Sequence, residues 1–162
     1  RSRGLGDVYK RQGRDENGGW HVIKTAKVTE AVEAAGKVIK VAKNHLFAVG
    51  DFVTAGGKFD GASDKITIID KSNAAYDSIT LAAAIGAIAK DMVLVTVKAK
   101  TDAGSAEATV ETSEVAITMA KVDLTVANQS CGLMVRGTIE ERNMPFPLDA
   151  DLKKLMPLIR FV

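Results

Sequence analysis

His45-Leu46-Phe47-Ala48-Val49-Gly50-Asp51-Phe52-Val53-Thr54-Ala55-Gly56-Gly57 is two apolar runs, each closed by a turn signal. Glycine adopts positive φ without steric cost and an aspartate carboxylate bonds its own backbone, so Gly50-Asp51 is suited to a tight turn. Gly56-Gly57 repeats the signal after Phe52–Ala55, as at the end of a hairpin strand. Four apolar or β-branched residues between turn signals are too few for a helix and enough for a strand. The same rhythm extends in both directions. It predicts a mainly β fold, a small antiparallel β-barrel or sandwich module with a few short helices, one of them near the C-terminus.

Upstream, residues 20–23 read as a first strand. Residues 27–33 alternate Val28, Glu30 and Val32 against Lys27, Thr29, Ala31 and Glu33, which suits a half-buried strand or an Ala/Glu-rich helical turn ended by Gly36. Val38–Val41 is dense in β-branched residues and reads as a strand. Downstream, residues 65–70 carry Ile66, Ile68 and Ile69, and residues 91–97 carry Met92, Val93, Leu94, Val95 and Val97. Between them, residues 78–81 fit a strand and residues 82–89 a short helix or a loop. The connections are short, so adjacent strands are expected to pair antiparallel. Residues 101–105 form a polar break that closes a barrel-like module over residues 20–100.

Beyond the break, residues 108–111, 115–119, 122–126 and 133–140 read as further short strands. Residues 149–155 are the one persuasive helix: Asp149 can cap it, Asp151 favours its positive end, and Lys153 and Lys154 lie toward its negative end. All three prolines, Pro145, Pro147 and Pro157, fall in this region. Residues 158–162 are expected as a final strand tied into a sheet, since a free end would expose Ile159, Phe161 and Val162. Residues 101–162 are expected to pack with the first module as one unit.

The basic balance belongs to one end. Arg1, Arg3, Lys10, Arg11 and Arg14 against Asp7 give residues 1–14 a net charge of +4, and the whole-chain total of +2 then leaves −2 for the rest. The opening twelve residues resemble translated sequencing-adapter read-through, so residues 1–14 are set aside from the fold as a non-native or disordered tail. The whole chain is 26% charged and 46% apolar, an ordinary globular composition. A single cysteine, Cys131, excludes an internal disulfide framework and any multi-cysteine metal site. Two histidines, His21 and His45, leave little for a histidine metal cluster. No apolar run approaches the length of a membrane helix.

Motifs that would carry chemistry fail on spacing. From Gly50 to Lys58 the chain invites comparison with a phosphate-binding loop, but Phe52 stands where the first glycine belongs and Phe59 replaces the hydroxyl. Asp60, Asp64 and Asp70 crowd one loop and strand without the alternation a calcium loop needs. Glu140 and Glu141 are adjacent and point to opposite faces of a strand, and Asp149 and Asp151 are explained by the helix start. Cys131 lies in a turn with no base close in sequence, and His45 reads as a polar strand-end residue. Asn128-Gln129-Ser130 matches a glycosylation sequon only formally. The residues therefore nominate no catalytic, cofactor-binding or metal-binding set. The run from Leu46 to Val53 is similar to the hairpin of small SH3-like barrels, several of which bind nucleic acid. The slightly acidic body and 5% aromatic content speak against that alternative.

Two longer stretches are more specific: residues 39–53 followed by 66–81, and the ending Met134-Val135-Arg136-Gly137-Thr138-Ile139-Glu140-Glu141-Arg142-Asn143-Met144-Pro145-Phe146-Pro147-Leu148, the helix, and Leu158-Ile159-Arg160-Phe161-Val162. In their order and in the ending, residues 20–162 resemble head fibre and capsid-decoration proteins of tailed bacteriophages. The resemblance implies a non-catalytic virion protein, typically a homotrimer, that binds the outer face of the head through the major capsid protein and needs no cofactor. It also implies assembly in the bacterial host cytoplasm, residence on the capsid surface, a role at the host cell surface for some members, and no membrane partner. Without an extended heptad or repeat tract for a shaft, the chain fits a compact decoration or base module.

Overall fold

The computed structural model describes residues 11–14, 20–56, 61–102, 114–119 and 132–162. In chain order the elements are β1 (Arg11–Arg14), β2 (Trp20–Val22), β3 (Thr25–Lys27), β4 (Val38–Val41), β5 (Phe52–Ala55), β6 (Ser63–Asp70), β7 (Asp77–Leu81), β8 (Val93–Val97), β9 (Glu114–Thr118), β10 (Leu133–Met134), β11 (Gly137–Ile139), a 3-10 turn at Glu141–Asn143, α1 (Ala150–Lys154) and β12 (Ile159–Phe161). The molecule is mainly β with antiparallel sheets and one α-helix near the C-terminus. It divides into two compact units, Lys24–Glu111 with Pro147–Asp151, and Arg1–Ile23 with Thr112–Phe146 and Leu152–Val162.

The first unit is built on one six-stranded sheet in the order β3-β8-β5-β6-β7-β4, each neighbouring pair antiparallel. β-Branched residues fill its inner face, where Ile39, Ile79 and Ile69 are register partners across β4, β7 and β6. Ile39 and Ile79 are fully buried, together with Val28, Val41, Val53, Ile66 and Leu94, and Phe47 and Leu81 close the same core. β6 serves two partners: Ser63, Asp64 and Lys65 pair with β5, whereas residues from Ile66 onward pair with β7. A register shift between Ile66 and Ile68 lets the strand bend between them. It also turns Ile68 outward and Ile69 toward the core.

The Gly50-Asp51 turn forms where the sequence places it. Gly50 has φ +104° and donates its N–H to Ile66 O, while Asp51 accepts at its backbone oxygen from Ile66 N–H. At the far end of β5, Gly56 donates to Val93 O. A Cβ on Gly56 would lie 2.5 Å from that oxygen and 2.7 Å from the Asp149 carboxylate, so only glycine fits.

Residues 27–33 are neither a continuous strand nor a helical turn. Val28 bridges Val41, and Val32 bridges Ile88, so the alternating valines reach two different partners. Residues 82–89 form a loop rather than a helix, carrying buried Ile85 and Ile88 around Gly86 at φ +95°.

The second unit holds a four-stranded antiparallel sheet, β10-β9-β1-β2. Arg11–Arg14, set aside with the tail on sequence grounds, is its β1, hydrogen-bonded on both sides by β2 and β9. Strand pairing uses backbone groups, so Arg-Gln-Gly-Arg can pair without an apolar pattern to announce it. The expected strand over 133–140 is split into β10 and β11 by a bend at Val135-Arg136. β12 pairs with β11 in parallel, Gly137 opposite Ile159 and Ile139 opposite Phe161. That departs from the antiparallel expectation because a long connection containing the helix, rather than a tight turn, joins the two strands. Asp149 does cap the helix, its Oδ2 accepting from Asp151 N–H at 3.0 Å. The expected strands at 108–111 and 122–126 lie outside the described residues.

Candidate functional site

The first unit carries a buried polar cluster at the mouth of the loop between β4 and β5. Val41 is the register partner of Asp77, so the alternation that buries Ile79 and Leu81 also turns the Asp77 carboxylate inward. Lys43 and His45 follow Val41 through Asn44, whose φ of 64° reverses the chain. Lys43 Nζ sits 2.6 Å from Asp77 Oδ1 and donates to Lys71 O at 3.2 Å. His45 Nε2 lies 3.3 Å from Asp77 Oδ2, off the hydrogen-bond direction, and has no hydrogen-bond partner. His45 Nδ1 accepts from Phe47 N–H at 3.2 Å, and the imidazole packs beside the Phe47 ring at a centroid distance of 5.3 Å.

This geometry assigns the tautomer. A ring nitrogen that accepts from an amide carries no proton, so neutral His45 holds its proton on Nε2, facing Asp77. Burial pushes the His45 pKa below its ordinary value; the cations of Lys71 and Lys43 act in the same direction, and Asp77 opposes them. The side chain of His45 is wholly inaccessible, so it touches no solute in this conformation. The cluster can order the loop, with His45 and Asp77 closed to solvent and Lys43 part-exposed. Asp77 and Lys43 were not singled out from sequence. The available signal was a carboxylate in the inward register of Asp77, Ile79 and Leu81.

A second polar group lines a small open cleft of about 140 Å³ between β6, the loop at Ala83–Gly86 and Lys100–Asp102. Asp64 accepts from Lys65 N–H at 2.6 Å, and Lys100 Nζ stands 3.9 Å from its other oxygen and 3.5 Å from Asp102. Ser63 donates to Ala99 O, so its hydroxyl is already committed. Among the described residues no three His, Cys, Asp or Glu side chains gather to hold a metal ion.

The remaining candidates do not converge. Asp51 accepts from Ala48 N–H at 2.8 Å and pairs with Lys24 at 2.7 Å, so it closes its own turn. Asp70 accepts from Ser72 N–H, and that bond holds its carboxyl below the ordinary range. Glu140 accepts from Arg142 and Asn143, whereas Glu141 pairs with Lys153. Neither glutamate lies on the expected strand: Glu140 follows β11 and Glu141 opens the 3-10 turn, and the two serve different partners. His21 lies in β2. Cys131, Asp60, residues 57–59 and the Asn128 sequon lie outside the described residues, as does the side chain of His21. No protein-family model, no curated protein and no solved structure matches this chain.

Proposed function

We propose that the protein is a structural component of a tailed-phage virion, a head fibre or capsid-decoration protein that binds the outer face of the head and carries out no catalysis. The observation that supports the reading is where its two diagnostic stretches fall. Residues 39–53 and 66–81 supply β4 to β7 of the first unit's sheet, and the ending supplies β10 to β12 with the helix. The stretches that carry the resemblance are thus framework elements, as a rigid particle-building module requires.

The six-stranded sheet of the first unit is read as a small barrel, because its outermost strands β3 and β4 approach each other. Val28 bridges Val41, Ala42 N–H donates to Lys27 O, and Thr29 N–H donates to Lys40 O. A sheet whose edges meet has no free edge to aggregate, which suits a protein packed at high density on a shell.

Six cations among the described residues are paired and give a nucleic-acid role no support. Lys24, Lys27, Lys40, Lys43, Lys153 and Arg142 each face a carboxylate, at Asp51, Asp91, Glu30, Asp77, Glu141 and Glu140. Paired cations leave less net positive potential for phosphates. The deciding experiment is co-sedimentation with heads of the phage whose genome carries the gene. The protein is expected to pellet with assembled heads, bound to major capsid protein. Failure to bind heads, with tight binding to an oligonucleotide instead, would replace this reading with the nucleic-acid one.

A further inference from the structure

The outer face of β4, β7 and β6 is laid out in rows. Val38, Thr80 and Ile68 are register partners across the three strands, and one step along lie Lys40, Ser78 and Asp70. All six side chains point away from the core, because Ile39, Ile79 and Ile69 occupy the inward positions between them. Val38, at the start of β4, is 53% exposed and Ile68, just past the register shift of β6, is 58% exposed, high values for two β-branched apolar strand residues. The second row runs cation, hydroxyl, anion from β4 to β6.

About β7 the first row is symmetric in polarity and the second antisymmetric in charge, and both are compatible with a two-fold axis. A two-fold axis lying along β7 would place β4 of one copy over β6 of the other. Lys40 then faces Asp70 of the second copy and Asp70 faces its Lys40, Val38 and Ile68 cover each other, and Ser78 and Thr80 meet themselves. We propose that this face is a self-complementary contact between two copies of the chain, in which two Lys40–Asp70 pairs flank a strip of Val38, Ile68, Ser78 and Thr80.

The occupant is a second copy rather than another protein because the charge order is antisymmetric about the central strand, which is what an isologous interface demands. Lys40 Nζ lies 5.1 Å from the centre of the Tyr76 ring and pairs with Glu30 of its own chain, so Asp70 of the second copy would join an existing ion pair whose lysine is already ordered. Short Ser and Thr side chains at the centre allow close approach of the backbones. Such a contact pairs subunits whatever else holds the assembly: alone it yields a dimer, and between trimers it yields a hexamer of dihedral symmetry. It goes beyond head binding and does not depend on it.

The test is charge reversal with subunit number read by sedimentation velocity over a concentration series. The unaltered full-length chain is expected to reach an even number of subunits. Asp70→Lys and Lys40→Asp should each halve that number, or weaken association at least tenfold, without altering the circular dichroism spectrum. The double variant Lys40→Asp/Asp70→Lys should restore association, because reversing both ends of the row preserves its antisymmetry. An odd-numbered assembly, a chain that stays monomeric at millimolar concentration, or single and double variants that behave alike would each overturn the proposal. Ile68→Arg provides a second, independent disruption of the strip, and association unchanged by it would overturn the proposal too.

Discussion

Two triplets of the same sheet carry nearly the same chemistry and meet opposite fates. Thr25, Val95 and Thr54 are register partners across β3, β8 and β5. Val38, Thr80 and Ile68 are register partners across β4, β7 and β6. Every one of the six is β-branched, and all lie on the side of the sheet away from the main apolar core. The first three are at most 1% exposed, and the valine and isoleucine of the second are more than half exposed. The difference shows in how hydroxyls are treated. Thr25 Oγ1 donates to Pro147 O and Thr54 Oγ1 to Ala62 O, as buried hydroxyls must, whereas Thr80 stands half-exposed with no such requirement. Burial on both faces leaves β8 apolar at every position but Thr96. Burial on one face makes β7 alternate.

The comparison can be sharpened by substitution. Leu94 is fully buried on the inner face of the doubly covered strand, so Leu94→Ala should cost about 2–5 kcal/mol in urea unfolding, from lost transfer energy and the cavity left behind. A loss below about 1 kcal/mol would mean that β8 is not central to the core. Next in size is the outer face of the same strand. Val95→Thr takes a hydroxyl out of water into a fully buried position and should cost about 1–3 kcal/mol. If Thr80→Val on the other triplet changes stability by as much, the contrast between the two regions is wrong.

Acid should act through the buried histidine. Because the folded-state pKa of His45 is lowered, the unfolded chain takes up the proton more readily, and stability falls as pH drops from about 6.5 toward the folded value. Thermal melting from pH 8 to 5 is expected to show this slope, and His45→Gln should flatten it. A slope that survives the substitution would place the sensitivity elsewhere. The smallest effect is expected at Ile68→Ser, within about 0.5 kcal/mol of the unaltered monomer, since the side chain is already in water. A larger loss in the monomer would show that something covers this face within one chain.

Much of the strand inventory was legible. Val38–Val41 and Phe52–Ala55 form at the residues the pattern indicates, and β6, β7 and β8 match their predicted runs to within two residues at each end. These segments combine β-branched side chains with turn residues that stop them, so local chemistry and tertiary packing agree. Agreement failed where the partner lay far along the chain. Val28 and Val32 alternate like a strand, yet their bridges go to Val41 and Ile88. The parallel pairing of β11 with β12 is likewise invisible from either segment alone. The polar cluster was not legible: His45 reads as a strand-end residue but lies in the loop between β4 and β5, and Lys43 and Asp77 reach it only once β4 and β7 are in register.

By itself the sequence determined the class of fold, the principal turns and the spacing of the strands, because glycine conformation, β-branching and two-residue alternation act over a few neighbouring residues. Which strands became neighbours, which outer face was covered, and which carboxylate met His45 were decided by tertiary structure alone. Those outcomes depend on strand register over tens of residues, where shifting by a single position exchanges the buried set for the exposed one.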